Sequence, residues 1–160
     1  MVLIVVGVSL GLVLPQVGGF LYRDDMKACV RKLAKTIGHA RGRAITTGTI
    51  WAVIFDFTTQ ECWAAPVQYE RTSEDAAPVL KYGTPEEKNA LSGEVRFTQV
   101  QVWDKEPVDH DQAVVRILPR GLTEPALVTM EDKTQERTLS LRLKPFGGRL
   151  SLAEDEDSGS

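Results

Sequence analysis

The chain is 160 residues long and carries 19 Lys and Arg against 22 Asp and Glu, a formal net charge of -3, which counts against a strongly basic, polyanion-binding protein. With two histidines and two cysteines, none at ligand spacing with one another or with a carboxylate, no metal site is expected. No Gly-x-Ser-x-Gly elbow, His-Glu-x-x-His, Cys-x-x-Cys or phosphate-cradling glycine loop occurs, so there is no catalytic residue to name and the chain reads as a non-enzyme without a cofactor.

Met1 to Tyr22 contains no charged residue. As a helix rising about 1.5 Å per residue it would measure about 33 Å, close to the roughly 30 Å of bilayer hydrocarbon, so residues 1–22 are expected to span a membrane. Gly7, Gly11, Pro15, Gln16, Gly18 and Gly19 interrupt the Val, Leu and Ile, and a proline removes a ladder bond, so the helix should be weakened between Gly7 and Gly19. Two other readings are a cleavable secretory signal and a wholly buried core helix. The first lacks a basic region ahead of the apolar run and a small-x-small site after it. Arg23, Lys27, Arg31 and Lys32 follow the span, and taken alone they would face the cytoplasm.

From Asp24 to Thr47 the helical pattern continues but becomes two-faced. Met26, Val30, Leu33, Ile37, Ala40 and Ala44 recur at intervals of three and four, one stripe that should pack on a sheet. Arg23, Lys27, Arg31, Lys35, His39 and Arg43 fall on other faces. They read as a solvated surface before a contact for nucleic acid or anionic lipid headgroups.

Past Gly48 the pattern changes to period two and short apolar runs. Ile50 to Phe57 reads as a strand, Cys62 to Ala65 as its hairpin partner across Thr58-Thr59-Gln60, and Gly93 to Trp103 as a long strand with Val95, Phe97, Val100 and Val102 on one face. Ala113 to Leu118, Ala126 to Met130, Thr138 to Leu143 and Arg149 to Leu152 follow, separated by Pro119-Arg120-Gly121, Glu131-Asp132-Lys133 and Gly147-Gly148. Gln68 to Asn89 has no convincing period and reads as an exposed loop on one side of the sheet. The acidic, small-residue tail, 154–160, should be disordered. The fold class is therefore α+β, one long helix on an antiparallel sheet. Residues 23–153 form a single domain, helix 23–47 plus sheet.

Trp51, Trp63, Tyr69, Tyr82 and Trp103 are candidate interface anchors, though the inward positions of a small sheet also need large side chains and each reads as core first. Asp109, His110 and Asp111 follow Pro107 and read as solvated turn residues rather than an acid–base site.

Three motifs in order resemble the type IV pilin-like proteins, and among them the pseudopilins of the general secretion pathway. Val2-Leu3-Ile4-Val5-Val6-Gly7, continuing to Val13-Leu14-Pro15, is similar to the family's N-terminal helix, where a glycine and a proline eight residues later mark the part that loses helicity in filaments. His39-Ala40-Arg41-Gly42-Arg43-Ala44-Ile45-Thr46-Thr47-Gly48, with a strand ending in Phe55-Asp56, resembles the H-type minor pseudopilins and related transformation-associated minor pilins. Val115-Arg116-Ile117-Leu118-Pro119-Arg120-Gly121 and Phe146-Gly147-Gly148-Arg149-Leu150 are similar to that subfamily's strand, Pro-x-Gly turn and closing Gly-Arg segment. The match runs from Met1 to about Leu152.

The resemblance implies a minor pseudopilin of the type II secretion system. Such a subunit is anchored once in the bacterial inner membrane with its globular domain in the periplasm, and assembles with other pseudopilins near the tip of a filament that helps to export folded proteins. Gly7, Gly11 and Pro15 would serve filament assembly, small residues allowing close helix approach and the proline allowing the subunit to lengthen. Secreted proteins are implied as further partners. The rival family reading is a minor pilin of a type IV pilus that binds DNA. Arg116, Arg120, Arg142, Lys144 and Arg149 are its candidate cations, but the acidic tail adjoins them, so nucleic acid is not expected. Aligned on Gly7 and Pro15, the chain begins seven residues inside the family's mature N-terminus, ahead of which the family carries a basic leader, the processed glycine, an N-methylated phenylalanine and a buried glutamate. The expectation is that the reading frame continues upstream of Met1; the alternative is a form that cannot be processed. A basic leader would also hold the N-terminus in the cytoplasm and resolve the orientation of the span.

Counting down the helix from Ala44 to Cys29 and down a strand from Ile50 to Phe57 gives about 23 Å each, which puts Cys62 near the height of Cys29. A Cys29–Cys62 disulfide, suited to an oxidising periplasm, and two buried thiols facing different neighbours are both open.

Overall fold

The computed structural model describes the backbone of residues 2–91, 93–134, 136–146 and 149–152, and side chains from residue 25 onward. Helix α1 (Val2–Thr47) is followed by β1 (Trp51–Asp56), β2 (Glu61–Glu70), β3 (Val79–Tyr82), β4 (Lys88–Ala90), β5 (Val95–Val102), β6 (Gln112–Ile117), β7 (Ala126–Asp132), β8 (Arg137–Leu143) and β9 (Leu150–Leu152). The backbone of α1 is continuous through Gly7–Gly19, where a weakened helix was expected; the membrane-spanning reading of residues 1–22, whose side chains are not described, and the disorder of 154–160 lie outside the described residues.

The expected stripe on α1 is buried. Leu33, Ile37, Ala40 and Ala44 are fully enclosed, and Met26 and Val30 are packed against the same core. Cys29 and Thr36 join the buried face. Thr36 is tolerated there because its hydroxyl donates to the Lys32 carbonyl at 2.9 Å and accepts from Asn89 Nδ2 at 3.0 Å, leaving no polar atom unpaired. The helix stops at Gly48, whose φ of +64° and N–H to the Ala44 carbonyl at 3.0 Å make a left-handed C-terminal cap.

The antiparallel strands form two sheets where one was expected. The first has the order β3-β2-β1-β6, with β4 also on β2, and the second β5-β7-β8-β9. Their inner faces close on α1 from two sides. Trp51, Val53 and Phe55 of β1, Cys62 and Ala64 of β2, and Ala113, Val115 and Ile117 of β6 share one core with Val95, Phe97, Val100 and Val102 of β5, Val128 and Met130 of β7, and Leu141 and Leu143 of β8. The odd spacing of Phe97 and Val100 has a cause. The register of β5 on β7 shifts between Phe97 and Gln99, and this bulge returns both residues to the inner face.

Two expectations about turns and loops are corrected. Gln68–Asn89 is not an unbroken loop: β2 continues through Pro66 to Glu70, β3 pairs with it at Val67↔Tyr82 and Tyr69↔Leu80, and β4 pairs at Trp63↔Lys88. These edge strands are short and almost wholly exposed, with no alternating buried face, so periodicity did not mark them. Glu131 and Asp132 belong to β7 rather than to the turn that follows it. Asp132 is buried at the strand end, where its carboxylate accepts the Thr134 N–H at 2.9 Å.

Because Leu33 is fully enclosed between the helix and both sheets, Leu33→Ala should destabilise the chain by about 2–5 kcal/mol. Urea unfolding followed by circular dichroism measures this, and a loss below about 1 kcal/mol would mean the stripe is not a packed core.

Candidate assembly surfaces

The two sheets are tied together by polar joints at opposite ends of the core. At the β1–β2 turn, Gln60 sits at φ +58°. Its side-chain oxygen accepts the Phe97 N–H at 2.6 Å and its amide nitrogen donates to the Phe97 and Phe57 carbonyls at 3.2 and 2.8 Å. One side chain thereby extends the edge of β5. Beside it the Phe55 and Phe97 rings meet edge to face with centroids 5.2 Å apart. The turn itself is fixed by Asp56, whose carboxylate accepts the Thr58 and Thr59 N–H groups, both at 2.9 Å, and Gln112 Nε2 at 3.0 Å. The Thr59 bond is the largest of the effects that hold this carboxyl below its usual range.

At the other end, Arg116 of β6 faces Glu124 in the approach to β7. The Glu124 carboxylate accepts the Arg116 backbone N–H at 2.9 Å and its guanidinium at 2.8 and 3.1 Å, while the Glu124 N–H returns a bond to the Arg116 carbonyl at 3.0 Å. Lys105 stands 3.8 Å away. Burial alone would push the Glu124 carboxyl up, but the Arg116 backbone and guanidinium bonds and the two nearby cations together hold it below the ordinary value. Arg116 was a candidate for phosphate; here it is occupied by an acid of its own chain.

The loop from Gly83 to β4 is strapped to the outer face of α1. Glu86 bonds both His39 Nε2 and Arg43 at 2.6 Å, and Glu87 lies 3.7 Å from Lys35. The bond to His39 and then that to Arg43 keep the Glu86 carboxyl low. Gly83 is needed where it passes β2, since a Cβ there would come within 2.6 Å of the Pro66 ring.

The aromatic anchors divide. Trp51 and Trp63 are buried, Trp51 on the inner face of the first sheet and Trp63 on its outer face with Ile54 and Ala65, capped by Lys88 Nζ 4.5 Å from the ring centroid. Tyr69, Tyr82 and Trp103 are not core: they are 54, 39 and 76 % exposed. Tyr69 and Tyr82 extend the outer face of the first sheet beyond Val67, beside the half-exposed Leu80. Trp103, held by its N–H to the Pro125 carbonyl at 2.8 Å, borders an open depression with Pro125, Leu127, Arg142 and Lys144. Tyr69 and Tyr82 are exposed because they lie near the strand ends on the face turned away from α1, and Trp103 because it follows the last residue of β5. Asp109, His110 and Asp111 are solvent-exposed as expected. The His110–Asp109 contact at 2.7 Å raises the imidazole. Among the described residues no group of His, Cys, Asp or Glu could hold a metal ion, and no helix is long and apolar enough to cross a membrane. Gly7, Gly11 and Pro15 fall among the residues whose side chains are not described.

Cys29 and Cys62 are both buried and are not bridged. The helix residue facing Cys62 is Thr36, whose Oγ1 is 3.9 Å from the sulfur, and Cys29 lies about 10 Å farther along the helix. Cys62 pairs with Phe55, about 13 Å along the strand from Trp51. Burial, opposed mainly by the Thr36 hydroxyl, pushes the Cys62 thiol up to about 11.

No known family's sequence profile matches the chain, and no curated protein does. Among solved structures it is similar to a crystal structure of the minor pseudopilin EpsH from the type II secretion system of Vibrio cholerae, at 16% identity and a TM-score of 0.51, over 81% of this chain and 93% of that one. The chain has a pseudopilin-like fold. A second structure of EpsH aligns at 16% identity with a TM-score of 0.48, over 79% of this chain and 94% of that one.

Two outcomes follow for the pseudopilin-like core. The contribution of Glu124, whose folded pKa is lowered from 4.5, is complete above that value and is lost as pH falls through the folded pKa. Thermal midpoints measured from pH 7 to pH 3 should therefore fall less steeply for Glu124→Gln, which starts less stable, than for the wild type; parallel curves would show the pair to be inert. Both thiols should resist alkylation in the folded chain at pH 7.5 and react fully in denaturant without reductant. A chain that reacts only after reduction would carry the bridge instead.

Proposed function

We propose that this chain is a minor pseudopilin of a type II secretion system, a filament subunit near the tip of the periplasmic pseudopilus that helps folded proteins across the outer membrane. The observation that carries the reading is the shared fold over nearly the whole of EpsH. A helix is clasped along its second half by two sheets, while its first 22 residues are uncharged. On this reading residues 1–22 cross the inner membrane and bundle with neighbouring subunits, with Gly7, Gly11 and Pro15 at the helix contacts. The sheets stand in the periplasm, and the exposed Tyr69, Tyr82 and Trp103 meet other pseudopilins or exported protein, since exposed aromatics beside Arg supply much of the energy of protein contacts.

The DNA-binding alternative is less well supported. Of its five cations, Arg116 is consumed by Glu124, and the net charge is negative. Co-expressed with the other pseudopilins of its own secretion system, tagged chain should co-purify with them in mild detergent. Trp103→Ala combined with Tyr82→Ala should lower recovery at least about fivefold, about 1 kcal/mol, with an unchanged circular dichroism spectrum. Loss of the gene should stop secretion and spare DNA uptake; intact secretion with lost uptake would overturn the assignment in favour of the pilus.

A further inference from the structure

The basic residues along α1 differ in what faces them. Toward its C-terminal end Lys35 pairs with Glu87 and Arg43 with Glu86, which also bonds His39; Lys32 and Arg41 bond the Ala90 and Gly121 carbonyls. Toward its N-terminal end Lys27 and Arg31 are exposed and make no ion pair among the described residues, and neither does Arg137 of β8. These three cations, without an ion pair among the described residues, rim one groove of about 450 Å³ between the helix and the second sheet. Its floor is aliphatic: Met26, Val30, Leu139, Leu141, Leu150 and Leu152. The acid among the lining residues, Asp132, is buried and turned to the Thr134 N–H. An apolar trough edged by three positive charges with no ion pair among the described residues is complementary to a chain of CH₂ groups ending in an anion.

Its place along the helix identifies the source. Met26 and Val30 come four and eight residues after Tyr22, the last of the uncharged run, or about 6 and 12 Å along the axis. Where residues 1–22 fill the hydrocarbon, that interval spans the headgroup layer and the water just beyond it. We propose that this groove takes up an acyl chain of an anionic phospholipid from the surrounding leaflet, its phosphate held by Lys27, Arg31 and Arg137. The inference rests on the membrane reading of residues 1–22. Two other occupants fit less well. The uncharged apolar segment of a second copy would cover the floor and leave three cations uncompensated. The tail after Leu152 would supply Glu154, Asp155, Glu156 and Asp157 but no apolar side chain larger than Ala153. A lipid satisfies both parts, its acyl chain burying CH₂ groups on the aliphatic floor and its phosphate meeting the three cations.

The full chain in a neutral detergent, offered equal phosphatidylglycerol and phosphatidylcholine, is examined by native mass spectrometry. One phosphatidylglycerol should be retained per chain, at least tenfold over phosphatidylcholine. The variant Lys27→Gln, Arg31→Gln, Arg137→Gln should lose the preference with its thermal midpoint unchanged, and Leu139→Gln with Leu152→Gln should lose retention of either lipid. Equal retention of both lipids by the wild type would overturn the inference. So would a lipid-free dimer, which places a second copy in the groove, or retention only after residues 153–160 are removed, which places the tail there. Flotation with phosphatidylcholine vesicles separates the two readings: a chain that floats without lipid preference defeats this inference alone, and a chain that stays at the bottom defeats the membrane reading and this one together.

Discussion

A single apolar stripe on one helix, buried from two sides, organises the whole domain. Cys29, Leu33, Ile37, Ala40 and Ala44 have no access to solvent and share one core with the inner faces of both sheets. Each sheet has only four or five strands, too few to close into a barrel, so each needs a partner layer. The helix serves both. This explains why Ala40 and Ala44 lie where β1 begins: small side chains let the backbone of the helix approach the strand that follows it after Gly48.

The two sheets nevertheless have to be held at a fixed angle around that helix, and apolar packing is not directional enough to do it alone. The directional part comes from two polar joints. Gln60 gives the Phe97 peptide both a donor and an acceptor, and Arg116 and Glu124 exchange four bonds across the opposite end. Both joints are intermediate in exposure, where a hydrogen bond to a charged or amide group retains more of its strength than in open water.

Charge is distributed along α1 in a way that matches this architecture. Where the loop before β4 crosses the helix, acids meet the basic face and pin the loop. Where no loop crosses, the basic face is left open beside the aliphatic groove. The molecule therefore has two kinds of surface at its two ends: basic and greasy near the start of the described helix, aromatic where the strands run past its end.

How far these features could be read in advance depends on whether their signal is periodic. The buried stripe, the change to strands after Gly48 and seven of the nine strands were legible because spacing of three and four, or of two, is written in adjacent residues. The seven were placed to within a few residues except for β2, which runs well past Ala65. The β3 and β4 edges were not, because a short exposed strand has no buried face to mark it, and its pairing is decided by β2 already standing beside it. The exposed Trp103 was misread as core for a related reason: residue type reports what a side chain prefers, while exposure depends on whether another layer happens to lie above it.

By itself the amino-acid sequence determined the helix, its inward stripe, the α+β class and the absence of a recognisable catalytic motif, since each follows from local periodicity or local chemistry. Only the tertiary structure decided that there are two sheets, that Gln60 and the Arg116–Glu124 pair join them, that Thr36 faces Cys62, and which cations meet an acid among the described residues. Each of those depends on residues from 8 to more than 60 positions apart meeting in space, and such contacts are set by how strands register and cross the helix, which no run of neighbouring residues encodes.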